Sequence, residues 1–85
     1  MPSTKPLPRQ SSKAETGALR KFGDNVRSRR EAQDLSQEQL AERADLDRTY
    51  LSGVERGVRN LSLNSVVRIA KALKTSASEL CEGVS

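Results

Sequence analysis

The stretch from Gln37 to Arg56, QEQLAERADLDRTYLSGVER, carries two short apolar stripes at helical period, separated by a few polar residues. Leu40, Ala41 and Ala44 fall at i, i+1 and i+4 with Glu and Arg on the other faces, a pattern that predicts one amphipathic helix. Tyr50, Leu51 and Val54 repeat the spacing, while Arg48, Thr49, Ser52, Gly53 and Arg56 fall on the opposite side. Between the stripes, Asp45-Leu46-Asp47 has room only for a turn that folds one helix across the other. The rest of the chain must then supply a core for this pair to sit on.

The flanks read as three more helices. Leu19, Phe22 and Val26, at i, i+3 and i+7, predict a first helix from an N-cap at about Thr16 to Ala32 or Gln33. Gly17 and Gly23 weaken it by roughly 1 kcal/mol each relative to Ala. Arg27, Arg29 and Arg30 crowd its last turns, where the helix dipole favours cations. Ser36 with Gln39 has the form of a capping box for the second helix, with Leu35 placed to staple onto Leu40. Asp47 is the expected cap of the third helix and Gly57 its left-handed stop. Ser62 caps a fourth, whose Leu63, Val66, Val67, Ile69, Ala70 and Leu73 cover nearly half its circumference, so part of that face is expected to meet another chain. After Lys74-Thr75, Ser76 with Glu79 opens a short fifth helix through Leu80 and Cys81 to about Glu82. No strand pattern, internal repeat or heptad run competes, and the fold class is all-α with five helices.

Composition narrows what such a fold can do. An 85-residue chain buries only about 60% of the surface its unfolded form exposes, which leaves no room for a deep catalytic cleft and makes a dimer expected. Residues 1–15 hold all three prolines, three serines and Lys5, Arg9 and Lys13, and read as a flexible basic arm ahead of a folded domain at 16–85. The net charge of +4 suits a polyanionic partner through release of counterions from phosphates. Histidine is absent and Cys81 is the single cysteine, so no internal disulfide, common structural zinc site or acid–base arrangement is expected: no enzyme, no metal and no cofactor. No apolar run is long enough for a signal peptide or membrane span, and an intracellular, soluble protein is expected.

The run LSQEQLAERADLDRTYLSGVERGVRNLSLNSVVRIAKAL resembles the Cro/CI/Xre family of helix-turn-helix regulators, over about Phe22 to Glu82. The match is positional: Gln37 opens the second helix, Ala41 is the small residue at the crossing, Leu46 follows the turn, and Leu51 and Val54 face inward on the third helix. E-R-G at Glu55 to Gly57 and R-N-x-S-L at Arg59 to Leu63 also follow the family pattern, whereas Asp45 and Lys74 stand where glycine is usual.

The resemblance implies a compact lambda-repressor-like domain that lays its third helix in the DNA major groove. Arg48, Thr49, Ser52 and Gly53 become the base-reading set, and an arginine such as Arg48 contributes roughly 1–3 kcal/mol of discrimination through a bidentate contact to guanine. Gln37, Arg56, Arg59, Asn60 and Arg29 are the expected phosphate contacts. Arg30 and Glu55 are the expected internal salt bridge. Family members bind palindromic operators as homodimers, with Val66, Ile69, Leu73 and Leu80 as the expected interface here and Glu38 and Glu42 as candidate contacts to RNA polymerase. In kind, the chain resembles the stand-alone controller proteins of restriction–modification systems and small phage repressors, which act in a prokaryotic cytoplasm. The alternative is the antitoxin of a toxin–antitoxin pair, docking a toxin on the fourth helix or the Pro-rich arm.

Overall fold

The computed structural model describes residues 13–85, which form five helices in the order α1 Lys13–Ala32, α2 Gln37–Ala44, α3 Arg48–Glu55, α4 Leu63–Ala72 and α5 Ala77–Leu80. Most of the arm expected at 1–15, with Lys5 and Arg9, lies outside the described residues. Its last three residues are helical: α1 starts at Lys13, so Thr16 lies inside the helix instead of capping it. The other caps are formed as their local chemistry requires. Ser36 Oγ accepts from the Gln39 N–H at 3.0 Å while Gln39 Oε1 accepts from the Ser36 N–H at 2.8 Å, a complete capping box. Asp47 caps α3, Ser62 caps α4 and Ser76 caps α5, each through its side-chain oxygen. The fifth helix is one turn, shorter than its sequence pattern predicts.

One core serves all five helices. Phe22 and Val26 of α1, Leu40, Ala41 and Ala44 of α2, Leu51 and Val54 of α3, Ile69 and Ala70 of α4, and Leu35, Leu73 and Leu80 beside the helix ends form a continuous buried cluster. Each fully buried Leu, Ile or Val contributes about 1.5–3 kcal/mol, and Leu40, Leu51, Ile69, Leu73 and Leu80 are all of this kind. The α2–α3 pair rests on α1 at one side and on α4 at the other, while α5 packs on α1 and α4. Side-chain amides fasten the ends: Asn25 Nδ2 donates to the Leu80 and Glu82 carbonyls at 2.9 and 2.8 Å, and Gln33 Nε2 donates to the Leu73 carbonyl at 2.8 Å, satisfying groups that helix C-termini leave open.

Gly23 is not a mere weak point in α1. A Cβ there would run into the carbonyl oxygens of Val54 and Glu55, so the absence of a side chain is what lets α1 press against the end of α3.

The first four helices end in the same way. Asp34, Asp45, Gly57 and Lys74 all take positive φ, at 58°, 58°, 75° and 59°. The next N–H in each case reaches back five residues, from Leu35 to Arg30, Leu46 to Ala41, Val58 to Gly53 and Thr75 to Ala70. Asp45 and Lys74 therefore do what glycine does at those positions, and the turn keeps its geometry. Lys74 lacks the short polar side chain that eases a left-handed residue. Lys74→Gly is accordingly expected to raise stability by about 0.5–1 kcal/mol, net of the extra freedom glycine gives the unfolded chain. Thermal unfolding checks this, and a lower midpoint for the variant would contradict it.

Candidate nucleic-acid interface

The candidate surface begins with α3 and what fixes its start. Asp47 Oδ2 accepts the Thr49 and Tyr50 N–H groups at 3.1 and 3.3 Å, so this carboxylate is engaged in capping and unavailable as a base contact. On the outer side of the helix, Arg48, Thr49, Ser52 and Arg56 surround a shallow depression of about 150 Å³. Arg48, Thr49 and Arg56 are exposed and Ser52 half-buried, which brings together donors and acceptors of the kind that read base edges.

Gly53 does not belong to that set. It is buried, and a Cβ on it would strike the Arg59 side chain, which lies across α3 at this point. Gly53 thus provides the space through which Arg59, from the loop after α3, returns alongside this helix. The loop itself is pinned by Tyr50, whose apolar spacing marks it only as a core residue. The Tyr50 hydroxyl donates to the Asn60 carbonyl at 3.2 Å and shares a hydrogen bond with Ser65 Oγ at 3.3 Å, and Ser62 Oγ donates to Ser65 Oγ at 3.1 Å. No local pattern announces the tyrosine contacts, because they join residues ten and fifteen positions apart.

Behind α3 sits a buried polar cluster. Arg30 Nε donates to Glu55 Oε2 at 2.7 Å and its Nη2 to Oε1 at 2.9 Å, a bidentate pair, while Nη1 donates to the Leu35 carbonyl at 2.8 Å. The hydrogen bond to the Glu55 carboxylate raises the Arg30 pKa above its ordinary value; burial opposes this, and the nearby charges of Glu55 and Glu31 add to it. Gln37 completes the cluster, donating from Nε2 to Glu55 Oε1 at 3.0 Å. That bond uses one of the two N–H groups of its side-chain amide; the second, together with the backbone N–H at the α2 N-terminus, is able to serve an anion there.

The remaining expected contacts divide. Arg56, Arg59 and Asn60 are exposed around the end of α3. Arg29 is half-buried on α1, and its charge acts on Glu79 at the start of α5. There the Thr75 hydroxyl, the Ser76 backbone and the Arg29 charge, in that order, hold the Glu79 carboxyl below its ordinary pKa. Across the α2–α3 turn, Arg68 Nη1 of α4 donates to the Asp45 carbonyl at 3.2 Å.

The expected dimer set needs correction. Ile69, Leu73 and Leu80 are 0–1% exposed and fill the protomer's own core, so they present no surface to a second chain. Val66 is half-buried, and the apolar surface that α4 does offer is Leu63 and Val67, at 76% and 36% exposure. The α4 stripe is as wide as its sequence indicates, but its inner sector faces α2 and α5.

A turn-linked helix pair, caged by three further helices and presenting one polar, arginine-bearing helix face, defines a DNA-binding domain of the helix-turn-helix class. The chain belongs to the Helix-turn-helix family, whose model matches residues 26–80. Control protein C.SmaI of Serratia marcescens is 53% identical over 59 residues, covering 69% of this chain and 70% of that protein. The crystal structure of the restriction-modification controller protein C.AhdI from Aeromonas hydrophila superposes with a TM-score of 0.72 at 50% identity, covering 73% of this chain and 94% of the other. The restriction-modification controller protein C.Esp1396I, solved as a tetramer in complex with its natural 35 base-pair operator, matches with a TM-score of 0.71 at 37% identity, over 79% of this chain and 88% of that one.

Proposed function

We propose that this chain is a sequence-specific transcriptional regulator that binds a palindromic operator as a homodimer and serves as the controller of a restriction–modification system. The observation that carries this reading is the outer face of α3, where Arg48, Thr49, Ser52 and Arg56 converge on one shallow depression with no carboxylate in it. The similarity to control proteins supports the biological setting, and the operator-bound tetramer of C.Esp1396I supports an oligomer on DNA. Nothing in the fold favours the antitoxin alternative. In this reading Arg48 makes the main base contact, Thr49 and Ser52 add shorter ones, and Arg56, Arg59, Asn60 and the Gln37 backbone N–H position phosphates. Leu63 and Val67, continuing from Val66, are the apolar surface for a second copy, and two copies place their reading helices about 34 Å apart. Glu38 and Glu42, both exposed on α2, are the surface for RNA polymerase. No helix among the described residues is long and apolar enough to cross a membrane.

Selection of duplexes from a random library, followed by titration of the selected sequence, tests the reading. Arg48→Ala is expected to weaken binding to the selected duplex by roughly 5- to 150-fold, the equivalent of about 1–3 kcal/mol, while affinity for random DNA changes little. A wild-type protein that selects no sequence, with only a salt-dependent affinity for all DNA, would refute the regulator reading.

A further inference from the structure

A groove of about 500 Å³ runs beside the reading helix, between α1 and the end of α3. Arg20, Asp24 and Arg27 line its α1 side, at i, i+4 and i+7 on one stripe of the helix, and Glu55, Arg56 and Val58 line the other. Its charge is more positive than this composition suggests. Glu55 is already neutralised by Arg30, which leaves Asp24 as the one other carboxylate facing three guanidiniums. Among residues 17–85 Arg20 and Arg56 approach no carboxylate within 4.0 Å, and Arg27 holds Glu31 only as an exposed i,i+4 pair at 3.2 Å, a partner easily exchanged for another anion.

The walls are firmly set. A Cβ on Gly57 would come within 2.8 Å of Arg20 Cα, and one on Gly23 would collide with the α3 carbonyls, so the two backbones are in contact along the groove floor. Arg56 lines both this groove and the depression on the outer face of α3, so the two adjoin at that side chain. Arg20 and Arg27 are seven residues apart, roughly 10.5 Å of helix rise, enough to engage separate phosphates of one strand. Val58 is the single apolar side chain in the lining, too little to anchor a peptide.

We propose that this groove grips the DNA backbone beyond the bases that α3 reads, so that each protomer's contact with the duplex extends outward past its half-site. The proposal rests on the regulator reading above. Its ligand is a run of phosphodiesters, recognised by charge and spacing and not by sequence.

The test uses two duplexes carrying the same selected site, one ending at its outermost selected base and one extended by about ten base pairs, roughly one turn, on each side. The wild-type protein is expected to bind the extended duplex on the order of tenfold more tightly. Arg20→Gln with Arg27→Gln is expected to bind both duplexes equally. Its dependence of log affinity on log salt should be shallower by about 1.8 on the extended duplex, at 0.9 per lost phosphate contact. Arg20→Lys with Arg27→Lys should keep most of the preference. Both side chains are exposed, so an unchanged thermal midpoint separates the effect from unfolding. A wild-type protein indifferent to the flanks, or a glutamine variant that keeps the preference, overturns the proposal. A glutamine variant that binds both duplexes like wild type yet loses transcriptional activity overturns it in favour of a protein partner. A protein that selects no sequence overturns the regulator reading and this proposal together, whereas one that selects a sequence but ignores the flanks overturns the groove alone.

Discussion

Glu55→Gln is expected to lower the free energy of unfolding by about 3–5 kcal/mol, because it leaves the Arg30 guanidinium buried opposite an amide. The Glu55 side chain is 2% exposed and Arg30 11%, so water does not replace the lost charge. The new amide would also turn an N–H donor toward the donors of Arg30 or Gln37, where the carboxylate accepts from both. A domain of this size is stable by only about 5–15 kcal/mol, and the thermal midpoint should fall by more than about 12 °C. Removing both charges together, as Arg30→Met with Glu55→Leu, should recover part of the loss, since an apolar pair needs no desolvation of ions. Recovery stays incomplete because the Leu35 carbonyl loses the Arg30 donor. A loss below about 1 kcal/mol for Glu55→Gln would mean that the pair behaves as a surface salt bridge, contrary to its burial.

Gly23→Ala and Gly17→Ala should have opposite signs, although both replace a glycine in the same helix. At Gly17 nothing lies within 4 Å of an added Cβ, and the ordinary gain in helix propensity, up to about 1 kcal/mol, is expected. At Gly23 the new methyl meets backbone oxygens of Val54 and Glu55, atoms that cannot move without shifting the last turn of α3. Overpacking of this kind costs about 1–3 kcal/mol or more, enough to reverse the propensity gain. The same shift displaces the outer face of α3, so under the proposed function Gly23→Ala should also weaken binding to a selected duplex. Calorimetric unfolding of the two variants side by side decides the matter; stabilisation by both would show that α1 and α3 are not in close contact.

What is legible in the sequence is local. Ser36, Asp47, Ser62 and Ser76 each act on an N–H two or three residues ahead, and their roles follow from spacing alone. The two apolar stripes of α2 and α3 place Leu40, Ala41, Ala44, Leu51 and Val54 in the core for the same reason. Spacing misleads where the partner is far away in the chain. Gln37 gives no local sign of its bond to Glu55, eighteen residues on, and Gly53 reads as exposed because Arg59 folds back over it from the following loop. Ile69 and Leu73 share one amphipathic stretch with exposed Leu63 and Val67, and periodicity gives the width of an apolar face without saying which sector meets the protein's own core. Arg29 sits next to Arg30 in sequence yet takes no part in the ion pair with Glu55, because adjacent helical positions differ by about 100° around the axis.

The Glu55 carboxylate receives hydrogen bonds from α1 through Arg30 and from the head of α2 through Gln37, while itself belonging to α3. Three helices are thereby indexed to one functional group, and the interval between the start of α2 and the outer side of α3 is settled before any duplex arrives. The domain then meets DNA as a finished template. Association carries little ordering entropy within this unit, and a duplex whose groove does not match that interval must itself be deformed to fit.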